Sequence, residues 1–175
     1  DPILNANDAV ANWHEKAQRC GFKFLVTQLM GFLCGGPQVY TGRDMGASHK
    51  HLAISDEEWD SFIAGLHEVC DELGLPQQEV DDVTAVIQSL RADCTLGDGE
   101  AAPPNPGHPA PPGGSLYARL GGVYPIALFA DRLIDALLSD SGISLRLSDE
   151  RTMPSLKYLF TELVCSIAGG MEAMT

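Results

Sequence analysis

One stretch of apolar, helix-forming sequence occurs twice in this chain, and this repeat constrains the fold more than any other feature. The first copy, FKFLVTQL, begins at Phe22, and the second copy, LKYLFTEL, begins at Leu156. Aligned without gaps, both copies keep a lysine, two leucines and a threonine in register and run up to a glycine pair, Gly35–Gly36 or Gly169–Gly170. Glycine supplies the positive φ at which many helices end. The repeat therefore predicts two similar helices, one in each half of the sequence.

Residues 95–114 differ in composition from the rest of the chain and separate the two copies. This segment, TLGDGEAAPPNPGHPAPPGG, holds six of the eleven prolines. Proline lacks an amide hydrogen and interrupts helices, so the segment is expected to be an extended, semi-rigid linker. The sequence thus divides into a first segment, 1–94, the linker, 95–114, and a second segment, 115–175.

Apolar residues at three- and four-residue spacing predict helices on both sides of the linker. Ser55 and Glu58 form a capping box ahead of a helix whose apolar face begins at Trp59 and which Gly74 closes. No convincing period-2 strand pattern is present, so the predicted fold class is all-α. The other predicted boundaries are Pro76 as the start of the next helix, Leu116 and Leu120 as the ends of a short helix before Gly121–Gly122, and Pro125 as the start of a longer helix.

Charge and cysteine content exclude several classes of protein. Asp and Glu number 24 against 11 Lys and Arg, which gives a net charge of −13. A chain this acidic repels nucleic-acid phosphates and anionic membranes, and no apolar run reaches the ~18 residues needed to span a bilayer. The five cysteines include no C-x-x-C pair, so neither a disulfide scaffold nor a thiolate zinc site is expected. We therefore expect reduced cysteines, a cytoplasmic location, and no nucleic-acid or membrane partner.

One histidine stands out because of its surroundings. His49 lies in MGASHKHLAI, between the first glycine pair and the capped helix. A neutral imidazole on a short helix backed by apolar faces suits the axial position of an iron porphyrin. On the residues alone an ordinary polar surface histidine is the favoured interpretation, and iron ligation is the alternative. His51 is two positions away and would point elsewhere on a helix, so the two are not expected to ligate together.

Several blocks of the sequence resemble truncated (two-over-two) haemoglobins. SLYARLGG, from Ser115, resembles the opening helix of that family with its glycine pair, and residues 127–140 resemble the next helix. GGPQVYTGRDM, from Gly35, followed by SHKHL, from Ser48, resembles the segment that carries the proximal histidine. Residues 55–92 resemble the last two helices. The resemblance covers nearly all of the chain outside the linker and implies a two-over-two helical sandwich.

The order of these blocks differs from that of the family. Residues 1–94 resemble the later part of a globin, with the distal helix, the proximal histidine and the last two helices. Residues 115–175 resemble the early part of another globin, including a second distal-type helix. Either the chain is a slice of a tandem array, or its second segment folds back on the first to complete one globin in permuted order. Exchange of halves between two chains would make the same contacts, so a domain-swapped homodimer or neighbouring globin repeats are the expected partners.

The resemblance implies haem b as the cofactor and assigns a role to each matching residue. His49 would be the proximal iron ligand. Arg43 would pair with a propionate, and Trp13 or His14 would pack against the porphyrin. The distal positions would be Phe22, Leu25 and Val26 in the first copy, Leu156, Leu159 and Phe160 in the second, and Leu133 and Ile134 on the neighbouring helix. The other residues at the haem would be Tyr40, Met45, Leu52, Trp59, Phe62, Leu66, Val83, Val86 and Ile87.

Two classes of function remain open at this point. The first is a haem protein that binds O₂, CO or NO and serves in storage, sensing or slow NO dioxygenation. Its distal positions carry no hydrogen-bond donor, so O₂ would be held weakly while CO and NO binding would be largely preserved. The second is a haem-free helical assembly module built from domain-swapped globin halves. Loss of specific haem binding on replacement of His49 would favour the first class.

Overall fold

The fold was examined in a computed structural model, which describes residues 2–16, 18–97, 99–107, 113–139 and 152–170. Within these ranges the chain is helical, and the pairing outside helices is one isolated parallel bridge between Ile54 and Thr95. The all-α class predicted from the sequence is confirmed. The helices are α1 (Asp8–Lys16), α2 (Arg19–Leu33), α3 (Met45–His49), α4 (Asp56–Glu72), α5 (Gln77–Gln88), α6 (Arg91–Cys94), α7 (Leu116–Arg119), α8 (Val123–Ser139) and α9 (Thr152–Ile167), with 3-10 turns at Leu4–Ala6 and Lys50–Leu52.

Most predicted helix boundaries are confirmed. The Ser55 hydroxyl accepts the amide of Glu58 at 3.2 Å, and the Glu58 carboxylate accepts the amide of Ser55 at 2.7 Å, so the capping box is formed at the start of α4. The predicted start of α8 at Pro125 was wrong, because the helix begins two residues earlier at Val123. Proline is tolerated in the first turn of a helix, where its missing amide costs no hydrogen bond, so it marks the start only approximately.

The two copies of the repeated sequence form helices that end in the same way. The first glycine of Gly35–Gly36 has a φ of 81°, and the first of Gly169–Gly170 has a φ of 80°. The amide of the second glycine returns to the carbonyl of Gly31 at 2.7 Å in α2 and to that of Cys165 at 2.9 Å in α9. In each helix this bond, from the second glycine to a carbonyl five residues earlier, is the one that defines the Schellman motif. The repeat is therefore present as two helices with matching ends.

The chain packs as two compact units. One comprises Asp1–Ala17 and Gly42–Gly107, and the other comprises Gln18–Thr41 and His108–Thr175. We call them the histidine unit, after His49, and the repeat unit, after α2 and α9. The predicted segments 1–94, 95–114 and 115–175 describe which part of a globin each stretch resembles, and that division stays a prediction.

A small apolar core anchors the N-terminal part of the histidine unit. Val10, Leu52 and Ile54 are buried together, and the partly buried Leu4, Ala9 and Trp13 pack against them. The Asn7 amide donates to the Leu52 carbonyl at 3.0 Å, which ties the start of α1 to the turn after His49. Trp13, expected at the porphyrin, thus contributes to this core and also meets the His14 ring edge-on at 5.5 Å.

In the repeat unit, α8 packs against both α2 and α9. Phe24 of α2 stacks on Tyr158 of α9 with ring centroids 4.9 Å apart. On α9, the Lys157 ammonium lies 2.7 Å from a carboxylate oxygen of Asp131 and 2.7 Å from one of Asp135. The two repeated helices, α2 and α9, therefore pack on the same helix, α8. Lys157 joins α9 to α8 through its ion pairs with Asp131 and Asp135.

Gly21 lets α2 approach α8 closely, and we expect Gly21→Ala to destabilise the repeat unit. A Cβ at this position would lie 2.5 Å from the Tyr124 ring and 3.0 Å from its Cα, so the helices would have to separate. Overpacking of this kind costs about 1–3 kcal/mol of unfolding free energy. Gly65 in α4 is the matched control, because a Cβ there meets nothing within 4 Å. Alanine is favoured over glycine in helices by ~1 kcal/mol, so urea unfolding should show Gly65→Ala stabilised. Equal stabilisation by both substitutions would contradict the close packing.

The Lys157 cluster gives a pH-dependent prediction. The hydrogen bond from Lys157 lowers the pKa of Asp131, so the ion pair stabilises the fold above the ordinary aspartate pKa and is lost as the pH falls through the lowered value. Lys157→Met should therefore lower the free energy of unfolding by about 1 kcal/mol at pH 7 and by progressively less below about pH 4. Lys23 stands at the matching position of α2 and is exposed, so Lys23→Met should show a far smaller, pH-independent change in urea unfolding. If the free energy of unfolding that Lys157→Met loses does not depend on pH, the effect of the substitution is due to lost packing and not to the ion pairs.

Candidate functional site

His49 occupies the last position of a short, well-defined helix. The Asp44 carboxylate caps α3 by accepting the amide of Ala47 at 2.9 Å. A 3-10 turn follows immediately and ends at Ala53, whose φ of 52° is in the left-handed region. The cap and the turn together fix the backbone on both sides of the histidine.

The hydrogen bonds of the His49 ring are all made within α3, through Nδ1. Its Nδ1 lies 3.0 Å from the Met45 carbonyl, one helical turn earlier, and 2.9 Å from the Ser48 hydroxyl. A carbonyl can only accept, so this contact favours the tautomer with the proton on Nδ1 and the lone pair on Nε2. Histidines that bind metals are commonly oriented by such a bond from their other nitrogen. His49 thus offers Nε2 as a ligand.

Burial favours the neutral form of this imidazole. Desolvation lowers the pKa of His49, and the hydrogen bond to Met45 only partly opposes that effect. A protonated ring cannot bind a metal, so the lowered pKa extends the pH range in which Nε2 is available. The candidate ligand is therefore in the charge state that iron ligation requires.

His51 has a different environment from its neighbour. Its Nδ1 is buried and has no hydrogen-bond partner among the residues that the structure describes. Burial lowers its pKa, with a smaller contribution from the positive charge of Arg43. The guanidinium of Arg43 donates to the carbonyl of Gly107. Arg43, the predicted partner of a haem propionate, is therefore hydrogen-bonded to the backbone at Gly107, the last residue of the histidine unit.

On α4 and α5 the predicted haem contacts include a clear core residue. Trp59 is buried, its indole donates to the Gln88 side chain at 2.9 Å, and its ring lies 5.5 Å from that of Phe62. Phe62 is 40% exposed. Ile87 is buried, and the half-buried residues of this set are Leu66, Val83 and Val86. These positions suit a helix-pair core as well as a porphyrin wall.

The predicted distal residues lie in the repeat unit and differ in exposure. Ile134 is buried, whereas Phe22, Val26 and Leu159 are exposed. The half-buried members of this set are Leu25, Leu133, Leu156 and Phe160, and Tyr40, which was predicted at the haem edge, is half-buried as well. Their distal assignments remain predictions.

Searches for related proteins give partial matches. No family model and no solved structure matches the chain. A group 1 truncated hemoglobin of Tetrahymena thermophila is 34% identical over 62 residues, which are 35% of this chain and 51% of that protein. A second group 1 truncated hemoglobin, from Tetrahymena pyriformis, is 30% identical over 67 residues, 38% of this chain and 55% of that protein.

The matched part of the chain, 35–38% of its length, is similar to group 1 truncated hemoglobins. This similarity agrees with the resemblance of the sequence blocks and with the all-helical fold. The chain spans about half the length of the curated relatives it matches.

Two further properties of the described ranges bear on the site. No helix there has the length and apolar character to cross a membrane. Across the same residues, no group of three or more His, Cys, Asp or Glu side chains could hold a metal ion. A haem iron needs only one ligand from the protein, so a single well-oriented histidine is sufficient.

Sequence reasoning missed the residues that hold the His49 segment in place. The Met45 carbonyl acts through the backbone, and the four-residue helical spacing could have indicated it. The Lys50 ammonium donates to the carbonyls of Ala92 and Thr95, more than forty positions away. No local pattern signals such a contact.

Proposed function

We propose that this chain binds haem b through His49 and takes up small diatomic gases, O₂, CO or NO, at the iron. The observation that carries the proposal is the His49 imidazole, desolvated and oriented through Nδ1 by the Met45 carbonyl at 3.0 Å. Haem, when bound, would supply an iron at which a gas can bind. The chain's own part is to present Nε2 of a neutral imidazole and to hold its orientation.

The proposed architecture is a two-over-two globin completed in permuted order. It is supported by the packing of α2, from the first segment, on α8, from the second segment, within one chain. A distal-type helix and the helix that resembles its usual neighbour are thereby brought into contact. In this proposal α9 is a surplus distal-type helix, and the match of its end to that of α2 supports a common origin.

The proposed distal side is apolar. Phe22, Leu25, Val26, Leu133 and Ile134 carry no side-chain hydrogen-bond donor. A donor to bound O₂ would contribute ~1–3 kcal/mol, so its absence speeds O₂ release by roughly one to two orders of magnitude. CO and NO binding depend less on such a donor, so gas binding persists with weak retention of O₂.

A visible absorption spectrum of the purified protein tests the proposal. Ferric, reduced and reduced-plus-CO samples should show an intense Soret band that shifts with CO, at about one haem per chain. A histidine-rich protein of similar size, taken through the same reconstitution, controls for loose haem adsorption. Absence of a CO-sensitive Soret band after incubation with excess haem would overturn the proposal.

An assembly module without haem is the second candidate, favoured by an apolar stripe on α9. Leu159, Leu163 and Ile167 follow one another at four-residue spacing and are 58%, 55% and 75% exposed. Exposed apolar stripes of this kind mark association surfaces. Sedimentation that shows concentration-dependent association of a haem-free chain, with no Soret band, would favour this candidate.

A further inference from the structure

The residue that follows His49, Lys50, makes a polar contact with residues far away in the sequence. The Lys50 ammonium donates to the carbonyl of Ala92 at 2.9 Å and to that of Thr95 at 2.5 Å. Both carbonyls lie at the end of α6, where backbone oxygens have no partner within the helix. Lys50 therefore supplies a charged donor to two oxygens that would otherwise need water.

A second connection lies close to the first. The amide of Leu96 donates to the carbonyl of Ile54 at 2.9 Å, and Ile54 bridges Thr95. Residues 50–54 are thus held to residues 92–96 at two points. Cys94 lies between these two attachments and is only 2% exposed, and burial raises the pKa of its thiol to about 11, an effect that the positive charge of Lys50 partly opposes. We call these two attachments the α3–α6 clamp.

The α3–α6 clamp fixes the element that carries the candidate ligand. α3 packs against α6, and His49 is the last residue of α3, directly before Lys50. A shift of Lys50 would move the backbone of His49 with it, because the two residues are adjacent. The Pro-rich linker begins at Thr95, so the clamp also anchors the point at which that linker leaves the histidine unit.

We propose that Lys50 is a positioning residue for His49, which sets the orientation of the imidazole by fastening α3 to the end of α6. This inference rests on the proposed haem function. The clamp itself is a property of the protein without haem. The clamp and the orientation of the His49 imidazole can therefore be measured separately.

The first measurement is the labelling rate of Cys94 in the haem-free protein, followed by peptide mass spectrometry. Lys50→Met loses a charged donor to two carbonyls, so we expect Cys94 to be labelled about tenfold faster or more. Lys50→Arg keeps the charge and should stay near the wild-type rate, and Lys23→Met, at an exposed lysine of α2, should not change it. The exposed Cys34 serves as an internal standard in every sample. An unchanged Cys94 rate in Lys50→Met would overturn the clamp.

The second measurement is the iron–histidine stretching band of the reduced, haem-loaded protein by resonance Raman spectroscopy. Lys50→Met should shift and broaden this band, Lys50→Arg should restore it, and Lys23→Met should leave it as in wild type. A band unchanged in Lys50→Met, with haem bound, would overturn the positioning role and leave the proposed function intact. Failure of the wild-type chain to bind haem would overturn both. If Lys50→Met does not fold, Lys50→Gln gives the same comparison with a milder loss.

Discussion

His49→Ala is expected to abolish specific haem binding while the haem-free fold persists. The substitution removes the nitrogen that would ligate the iron, and the ring's own hydrogen bonds, to Met45 and Ser48, lie within α3. The Soret band that shifts with CO should therefore be lost on titration with haem. Far-ultraviolet circular dichroism should stay that of a helical protein.

Two other histidines provide matched controls for this result. His67→Ala removes an exposed imidazole whose Nε2 lies 2.9 Å from the Thr84 hydroxyl, and it should bind haem as wild type does. His51→Ala tests the neighbour with the unpartnered Nδ1. Addition of free imidazole to His49→Gly should restore the Soret band, because the small molecule can occupy the vacated position. Loss of the band in His51→Ala and its retention in His49→Ala would transfer the ligand role to His51.

Trp59→Ala is expected to cost the haem-free protein about 3–5 kcal/mol of unfolding free energy, the range for a buried aromatic residue. Trp59 is 5% exposed, and its indole donates to Gln88. The substitution therefore removes the contacts of the indole between α4 and α5 and also its hydrogen bond to Gln88. Urea unfolding of the haem-free protein, followed by circular dichroism, measures the change.

Phe62→Ala is the control for this second result, since Phe62 contacts Trp59 but is 40% exposed. Its loss should cost about 1 kcal/mol, in line with the smaller apolar area removed. Trp59→Phe should fall between the two, because it keeps most of the ring and loses the hydrogen bond to Gln88. A loss in Trp59→Ala as small as that in Phe62→Ala would show that Trp59 has no core role without haem.

The helices could be predicted from sequence because their signals are local. The Ser55–Glu58 capping box and the two glycine pairs depend on residues within a few positions, and each is formed as expected. The Pro125 boundary was misplaced for a local reason as well, since proline is accepted at several positions of a first turn.

The candidate site was only partly predictable. His49 was singled out, and its bond to Met45 follows from helical spacing. The contacts of Arg43 with Gly107 and of Lys50 with Thr95 join residues far apart in sequence. Such contacts depend on how complete elements pack, and a hydrophobic pattern carries no information about them. The packing of the partly buried Trp13 against Leu52 and Ile54 depends on long-range contacts of the same kind.

The stack of Phe24 on Tyr158 joins equivalent positions of the two copies of the repeated sequence. In the ungapped match of the two copies, these residues occupy the same position, so the repeated helix meets its own duplicate at that point. In an isologous interface of a homodimer, equivalent residues of the two subunits meet. Here the two equivalent residues meet in the same way within a single chain. A substitution at this position in either copy therefore alters the same junction, and each copy places an aromatic ring there.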